Sequence, residues 1–285
     1  MSTTGERPDG TPARVITGAE EIAHYDDSAT SAKRHQGLKS AVERVRELHT
    51  LWAEPDVVPW LDSIPDCAAQ ADVYVHLKQS IIGGRVLQLG GKGQAVLKAL
   101  VGGASSGILV TPSQGEADLA VRVARELDIA DRFEAKVGFA ETLCIDDESV
   151  NAIVSEGCMH HTNTVDALKE CARVLVPGGR FGSWDPWKAR LYTVGVAVFG
   201  KRDPDVSCKP LDPARLQELS ALFPSGAEVN LHGAMTRYTG LVWSKYVRPL
   251  KLSTSYRLTK LDDRVSRHVP AFRRNGSSCA VLAVK

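Results

Sequence analysis

The sequence predicts an α/β domain built on a mostly parallel sheet. Two features carry that expectation. From Arg85 onward, short apolar runs alternate with segments of helical periodicity, in the order RVLQL, QAVLKALV, GILVT, EADLAVRVARELDI, RFEAKV, SVNAIVS and VDALKECARVL. Parallel neighbours need a crossover between them, and a helix of about ten residues supplies it, so this alternation specifies a sheet covered by helices on both faces. Before Arg85 the texture is helical, with too few apolar residues to fold alone. Residues 1–82 therefore read as a tail and helical cap on a domain formed by residues 83–285.

Each element has its own signal. Residues 1–16, rich in Thr, Gly, Pro and charge, are expected to be loose. From Ala19 to Trp52 the spacing is helical, with Leu38, Val42, Val45, Leu48 and Leu51 in register. Pro55, Pro59 and Pro65 interrupt it, and CAAQADVYVHLKQSI forms a second helix that runs to Gly83-Gly84. RVLQL is a strand that opens into the glycine turn GGKG. After VDALKECARVL, the turn VPGG leads into the strand GGRFGSWD. DPARLQELSALF reads as a helix opened by Asp212 with Pro213 at its first position. AEVNLH is a strand, residues 233–277 are a helical insertion, and SSCAVLAVK is the closing strand.

Composition narrows the class. No run of 18 apolar residues occurs, and MSTTGERPDGTPAR lacks the apolar stretch of a secretory leader. No integral membrane segment is expected, and the expected compartment is the cytoplasm. The six cysteines (Cys67, Cys144, Cys158, Cys171, Cys208 and Cys279) are scattered without a CxxC pair, as fits reduced, mostly inert thiols. The formal charge of +1 conceals an asymmetry: between Gly233 and Ser277 ten Lys or Arg face two acids, giving this insertion +8 and the remainder −7. That segment reads either as a solvated helical surface or as one that meets an acidic substrate, subunit or membrane face. Aromatics are interleaved there, but no nucleic-acid-binding signature accompanies them, so nucleic acid is not an expected partner.

Residues 83–187, with weaker support from the final strand, resemble the class I S-adenosylmethionine-dependent methyltransferases, in particular the small-molecule branch. The residues that carry the resemblance are VLQLGGKG, ILVTPSQGEADLA, VGFAETLCIDDESVNAIVSEGCMHH and ALKECARVLVPGGRF. The resemblance implies a Rossmann-like, mostly parallel seven-stranded sheet and S-adenosylmethionine as cofactor. It also implies methyl transfer to O, N or C of a small, natural-product-like molecule. Glycines let the backbone approach a ligand at positive φ, and the following helix presents its N-terminal amides. Gly90, Gly91 and Gly93 retain that capacity. By the same resemblance Thr111, Phe139, Ala140 and Glu141 lie along the cofactor, and Tyr25 in HYDD is placed at the lid. The chain departs from the family pattern at Gln88 and Thr111, where acids are usual, at Phe139, where aspartate is usual, and at Lys92, where glycine is usual.

Methyl transfer is an in-line displacement that needs alignment, and a base when the acceptor must lose a proton. His160, His161 and Glu156 follow the fourth strand of the domain and so stand at the carboxyl edge of the sheet, the place for that base. Trp184, Asp185 and Trp187 follow the next strand and are candidate substrate contacts. Two other classes stay open. His160, His161, Asp185, Cys208 and His232 are of metal-ligating types and would serve a metal-assisted enzyme if they converged. A methyltransferase-like protein that binds a small molecule without transferring methyl would keep the same fold. The oligomeric state, a homo-oligomer included, is left open by the sequence.

Overall fold

Five consecutive residues, Arg85–Leu89, bury four side chains on two faces, as only the centre of a doubly covered sheet requires. The computed structural model describes residues 3–6, 12–15, 18–32, 41–43, 45, 66–189, 209–236, 243, 247, 251–269, 272 and 274–285. Among these, strands β1 (Thr3–Glu6) and β2 (Pro12–Val15) form an antiparallel hairpin. The tail expected to be loose therefore contains a hairpin, and the Pro8-Asp9-Gly10 sequence between its arms carries the turn signal. Helix α1 (Ala19–Ala32) follows, and Val42 and Val45 beyond it are buried in the core. Leu38, Leu48 and Leu51 lie outside the described residues.

The sheet is assembled from β3 (Arg85–Leu89), β4 (Ser106–Thr111), β5 (Phe133–Val137), β6 (Val150–Glu156), β7 (Leu175–Pro186), β8 (Gly226–His232) and β9 (Ser278–Val284). Their spatial order is β5-β4-β3-β6-β7-β9-β8. β5, β4, β3, β6 and β7 pair in parallel, and β9 runs antiparallel to both β7 and β8. The mostly parallel seven-stranded expectation holds, with one reversed strand. Helices α2 (Cys67–Ile81), α3 (Gln94–Val101) and α4 (Gln114–Glu126) cover one face, where Val73, Leu77, Val96, Leu119 and Trp184 share a core. Helix α5 (Thr164–Val174) and the single turn α6 (Leu219–Leu222) cover the other, with Leu168, Cys171, Phe181, Phe223 and Val281.

Helix α2, read from the sequence as part of the cap, lies directly on the sheet. A Cβ at Gly182 of β7 would stand 2.8 Å from Val73 Cγ1, so the missing side chain is what admits the helix. The helix expected over DPARLQELSALF is shorter than its pattern. Residues Asp212–Leu219 make successive i to i+3 bonds and only Leu219–Leu222 is helical. Within this turn the Arg215 guanidinium donates to the carbonyls of Met159 and Thr162, at 3.1 and 2.8 Å, and also bonds Lys209 O.

The insertion contributes helix α7 (Leu252–His268), fastened through a buried ionic knot. His232 Nδ1 is 2.9 Å from Asp263, its Nε2 is 2.9 Å from Asp72 of α2, and Lys260 Nζ is 3.6 Å from the same Asp72. Burial alone would push the His232 pKa down, but its hydrogen bonds to Asp263 and Asp72 and their charges win, raising it to about 9. The native state therefore favours the protonated ring. The stability it adds is complete below the unfolded pKa near 6.5 and is lost as pH rises through about 9. His232→Ala is expected to destabilise the protein at pH 6 by roughly 3 kcal/mol, because Asp263 loses its ionic partner and Asp72 is left with Lys260. The deficit should shrink as denaturant melts are repeated toward pH 10.

Candidate active site

The loop after β3 is fixed by its glycines and by Gln88. Gly90, Gly91 and Gly93 have φ of 71°, 71° and 76°, a region that side chains with a Cβ resist. Gly90 is also a point of close approach: a Cβ there would lie 2.8 Å from Cys158 Sγ. Gln88, buried where the family usually has an acid, uses both ends of its amide. Its Oε1 accepts from Val96 N at 2.9 Å, and its Nε2 donates to Gly90 O at 2.9 Å and to Glu156 Oε2 at 3.4 Å. A carboxylate would repel the last two oxygens, so the amide is what this wiring demands.

At the end of β4, the acid absent from Thr111 is supplied five residues later. Thr111 Oγ1 donates to Glu116 Oε2 at 2.7 Å, and Glu116 N donates to Ser113 Oγ at 3.0 Å, which makes Ser113 the N-cap of α4. Burial pushes the Glu116 carboxyl up, against the pull of the Thr111 hydrogen bond and of the Lys92 charge. Lys92, the oddity of the glycine loop, thus has Glu116 as a counter-charge. Sequence reasoning passed over Glu116, although the S-x-x-E spacing at Ser113 marks it.

After β5, Gly138 N donates to Thr111 O at 3.0 Å, which binds this turn to the β4 end. Phe139 is half-buried beside it, while Ala140 and Glu141 are buried. Glu141 Oε1 accepts from Asn163 N at 2.8 Å and so anchors the residue preceding α5.

The two histidines after β6 are each held by a carboxylate. His160 Nδ1 and its backbone N lie 2.8 and 3.0 Å from Asp185 Oδ1, and Ser183 Oγ bonds the other oxygen. Burial lowers the His160 pKa despite Asp185, which favours the neutral ring. His161 stacks on it, with ring centroids 3.8 Å apart, and faces the cap. Its Nδ1 is 2.6 Å from Glu21 Oε1 of α1, and its Nε2 is 3.5 Å from the Tyr25 hydroxyl, which also donates to Glu21 at 3.3 Å. The Tyr25 pKa lies well above its ordinary value, through burial first and the Glu21 charge second, so it is a phenol. Asp26 on the same helix accepts from Ser113 Oγ at 2.6 Å and Gly115 N at 2.8 Å, which docks α1 on the start of α4. Glu156 is held by Tyr74, whose hydroxyl donates to Oε1 at 3.1 Å, and by Gln88.

The structure thus brings together Gly90, Gly91, Gly93, Thr111, Phe139, Glu156, His160, His161 and Tyr25 at the carboxyl edge, where the strand order reverses between β3 and β6. It moves others. Asp185, expected to touch substrate, is 1% exposed and both its oxygens are taken by His160 and Ser183. Trp184 points to the opposite face and packs against Tyr74 in the core. Trp187 is half-buried against the second core. Among the described residues no group of His, Cys, Asp or Glu is arranged to hold a metal. His232 shares the Trp184 face through the register Pro186↔Ser278↔His232, whereas Asp185 faces the other way with Cys279. Cys208 lies outside the described residues. Sequence reasoning also passed over Glu21 and Arg215. For Glu21, in the polar first turn of an isolated helix, no local signal marked it; only the cap's docking reveals it.

These residues suit the cofactor implied by the resemblance. The backbone of Gly91 is open, with only Gln88 Nε2 at 3.6 Å from where a Cβ would stand, and the start of α3 adjoins it. Glu116 with Thr111 offers hydrogen-bond acceptors for hydroxyls, and Phe139 offers an apolar flank. Comparison with known proteins agrees. Residues 87–182 match the family model described as a methyltransferase domain. No curated protein matches the chain in sequence. Among solved structures, the geranyl diphosphate C-methyltransferase of Streptomyces coelicolor A3(2), solved with Mg2+, geranyl diphosphate and S-adenosyl-L-homocysteine, is 19% identical, with a TM-score of 0.53 over 76% of each chain. A geranyl diphosphate methyltransferase in complex with S-adenosylmethionine is 18% identical, with a TM-score of 0.53 over 76% of this chain and 84% of that one. The [4+2]-cyclase SpnF is 19% identical, with a TM-score of 0.51 over 77% and 81%. These likenesses establish the fold.

Proposed function

We propose that the chain, whose residues 87–182 match a methyltransferase-domain model, is an S-adenosylmethionine-dependent enzyme that methylates O, N or C of a natural-product-like small molecule in the cytoplasm. The observation that carries this reading is His161, held between Glu21 and Tyr25 of the cap at the same edge as the glycine loop. When bound, S-adenosylmethionine supplies an electrophilic methyl on a sulfonium. The chain's residues do the rest. The Glu21 carboxylate, 2.6 Å from Nδ1 of His161, favours the tautomer that carries its proton on that nitrogen, which leaves Nε2 as the acceptor for a proton from the substrate. Tyr25, whose hydroxyl donates to Glu21, stays a neutral phenol beside it. Glu156 is the second carboxylate within the edge, oriented by Tyr74 and Gln88. Asp185 keeps His160 in place behind His161 and acts as a positioning residue.

Titration of the purified chain with S-adenosylmethionine and S-adenosylhomocysteine is expected to give saturable heat and a rise in melting temperature. Absence of both at about 1 mM cofactor, a binding free energy weaker than roughly 4 kcal/mol, overturns the reading. A second reading draws support from the cyclase that shares the fold: cofactor binding without transfer of a labelled methyl to any acceptor would favour a scaffold that performs other chemistry.

A further inference from the structure

Helix α7 is turned inside out. Its polar residues Ser255, Thr259, Asp262 and Ser266 are buried, at 9% exposure or less, whereas Leu258, Leu261 and Val265 are 41%, 57% and 45% exposed. Three of the four buried polar residues are accounted for: Asp262 accepts from Met235 N and Thr236 N at 2.8 and 3.0 Å, and Ser255 and Thr259 meet Cys67 Sγ at 3.9 and 3.8 Å. Nothing comparable explains the outward stripe, which Val269 and Phe272, both 38% exposed, continue past the helix end. Eight of the eleven large apolar side chains exposed among the described residues belong to the insertion, so the exposure is concentrated there rather than scattered.

Charge accompanies it. Lys251, Arg257, Arg264 and Arg274 are exposed, and the two acids of the insertion are turned inward, Asp262 onto the backbone and Asp263 onto His232. Every exposed formal charge described between Lys251 and Arg274 is therefore positive; Arg237, Lys245, Arg248 and Arg273 lie outside the described residues. An aliphatic stripe flanked by cations is the pattern of a helix that lies in the interface of an anionic bilayer. A second copy fits it poorly, since self-packing of the stripe would set Arg257 and Arg264 against their own copies. The position is also apt. Along α2, Gln79 meets Arg180 low on β7, Tyr74 meets Glu156 at the end of β6, and Asp72 meets His232 at the end of β8. Cys67, which contacts α7, is thus at the carboxyl edge, on the side of the candidate site.

We propose that the outward face of α7, Leu258, Leu261 and Val265 with Arg257 and Arg264, docks the protein reversibly on an anionic lipid surface. The proposal is independent of methyl transfer. It is tested by co-sedimentation of the full chain with phosphatidylcholine vesicles, with and without about 30 mol % phosphatidylglycerol. Binding is expected only with phosphatidylglycerol. The double variant Leu261→Asp/Val265→Asp should abolish it, and Arg257→Glu/Arg264→Glu should weaken it at least about tenfold, with wild-type binding falling as salt rises. These side chains are exposed, so melting temperatures should be unchanged; if the aspartates perturb folding, Leu258→Ser and Leu261→Ser singly should each weaken binding. No phosphatidylglycerol-dependent sedimentation overturns the proposal, as does sedimentation indifferent to the stripe variants. A wild-type dimer that these variants dissociate, without vesicle binding, assigns the face to a copy-to-copy contact and overturns it equally.

Discussion

Replacing His161 by Ala should lower turnover by roughly 10²- to 10⁴-fold, the usual contribution of a positioned base, with little change in cofactor affinity. The reasoning rests on its two neighbours. Glu21, 2.6 Å from Nδ1, orients the ring and Tyr25 stands beside Nε2, so the alanine variant removes the proton acceptor without emptying the core. Glu21→Gln should lower kcat more than it raises KM, because the carboxylate acts only through the ring. Combined with His161→Ala it should add almost nothing, as residues acting as a unit do. His160→Ala behaves differently. It removes one of the hydrogen bonds to Asp185 in a fully buried site, leaving the backbone N–H of residue 160 and Ser183, so the dominant expected effect is a stability loss of roughly 1–3 kcal/mol in denaturant melts. Full activity in His161→Ala would mean that alignment alone suffices for this acceptor.

Cofactor binding should be abolished by Gly91→Val, with affinity falling by about a hundredfold or more in calorimetry, while the fold survives. Among the three loop glycines, Gly91 is the informative one. A Cβ there meets only Gln88 Nε2 at 3.6 Å, so the variant carries backbone strain of about 1–2 kcal/mol and no internal clash. Its side chain would instead occupy the open side of the loop. Gly90→Val and Gly93→Val place their Cβ 2.8 Å from Cys158 Sγ and 2.9 Å from Ala120 Cβ, and should lower the melting temperature as well. Binding retained by a folded Gly91→Val protein would remove this loop from the site.

The strands were legible because parallel-sheet burial leaves continuous apolar runs, and α2 matches its segment residue for residue. Less was legible where partners decide. DPARLQELSALF has a helix's spacing and cap, yet only Leu219–Leu222 is helical, and no local pattern encodes the contact of Arg215 with carbonyls more than fifty residues away. The site was half read. The glycines and histidines announce themselves by type and place after strands. Glu116 was marked by the S-x-x-E spacing from Ser113 and missed because the family acid was sought on the strand itself. Trp184 and Asp185 were assigned to one edge, but alternation along β7 sends neighbouring side chains to opposite faces. Glu21 owes its role to the docking of α1 through Asp26, a tertiary event.

The single reversed strand has a consequence for synthesis. β8 pairs with β9 and with no other described strand, and β9, Ser278–Val284, is the last strand of the sheet to leave the ribosome. Until it arrives, β8 has no ladder to join and the edge of β7 stays open, because the slot between them belongs to a segment made some fifty residues after β8 begins. The parallel part, β3 to β7, can form while translation continues, but the clasp of His232 to Asp72 and Asp263 cannot be set before β9 draws β8 in. Nascent chains stalled before Ser278 should therefore show a protected β3–β7 core and a protease-sensitive stretch from Gly226 onward, which release of the remaining residues closes in one step.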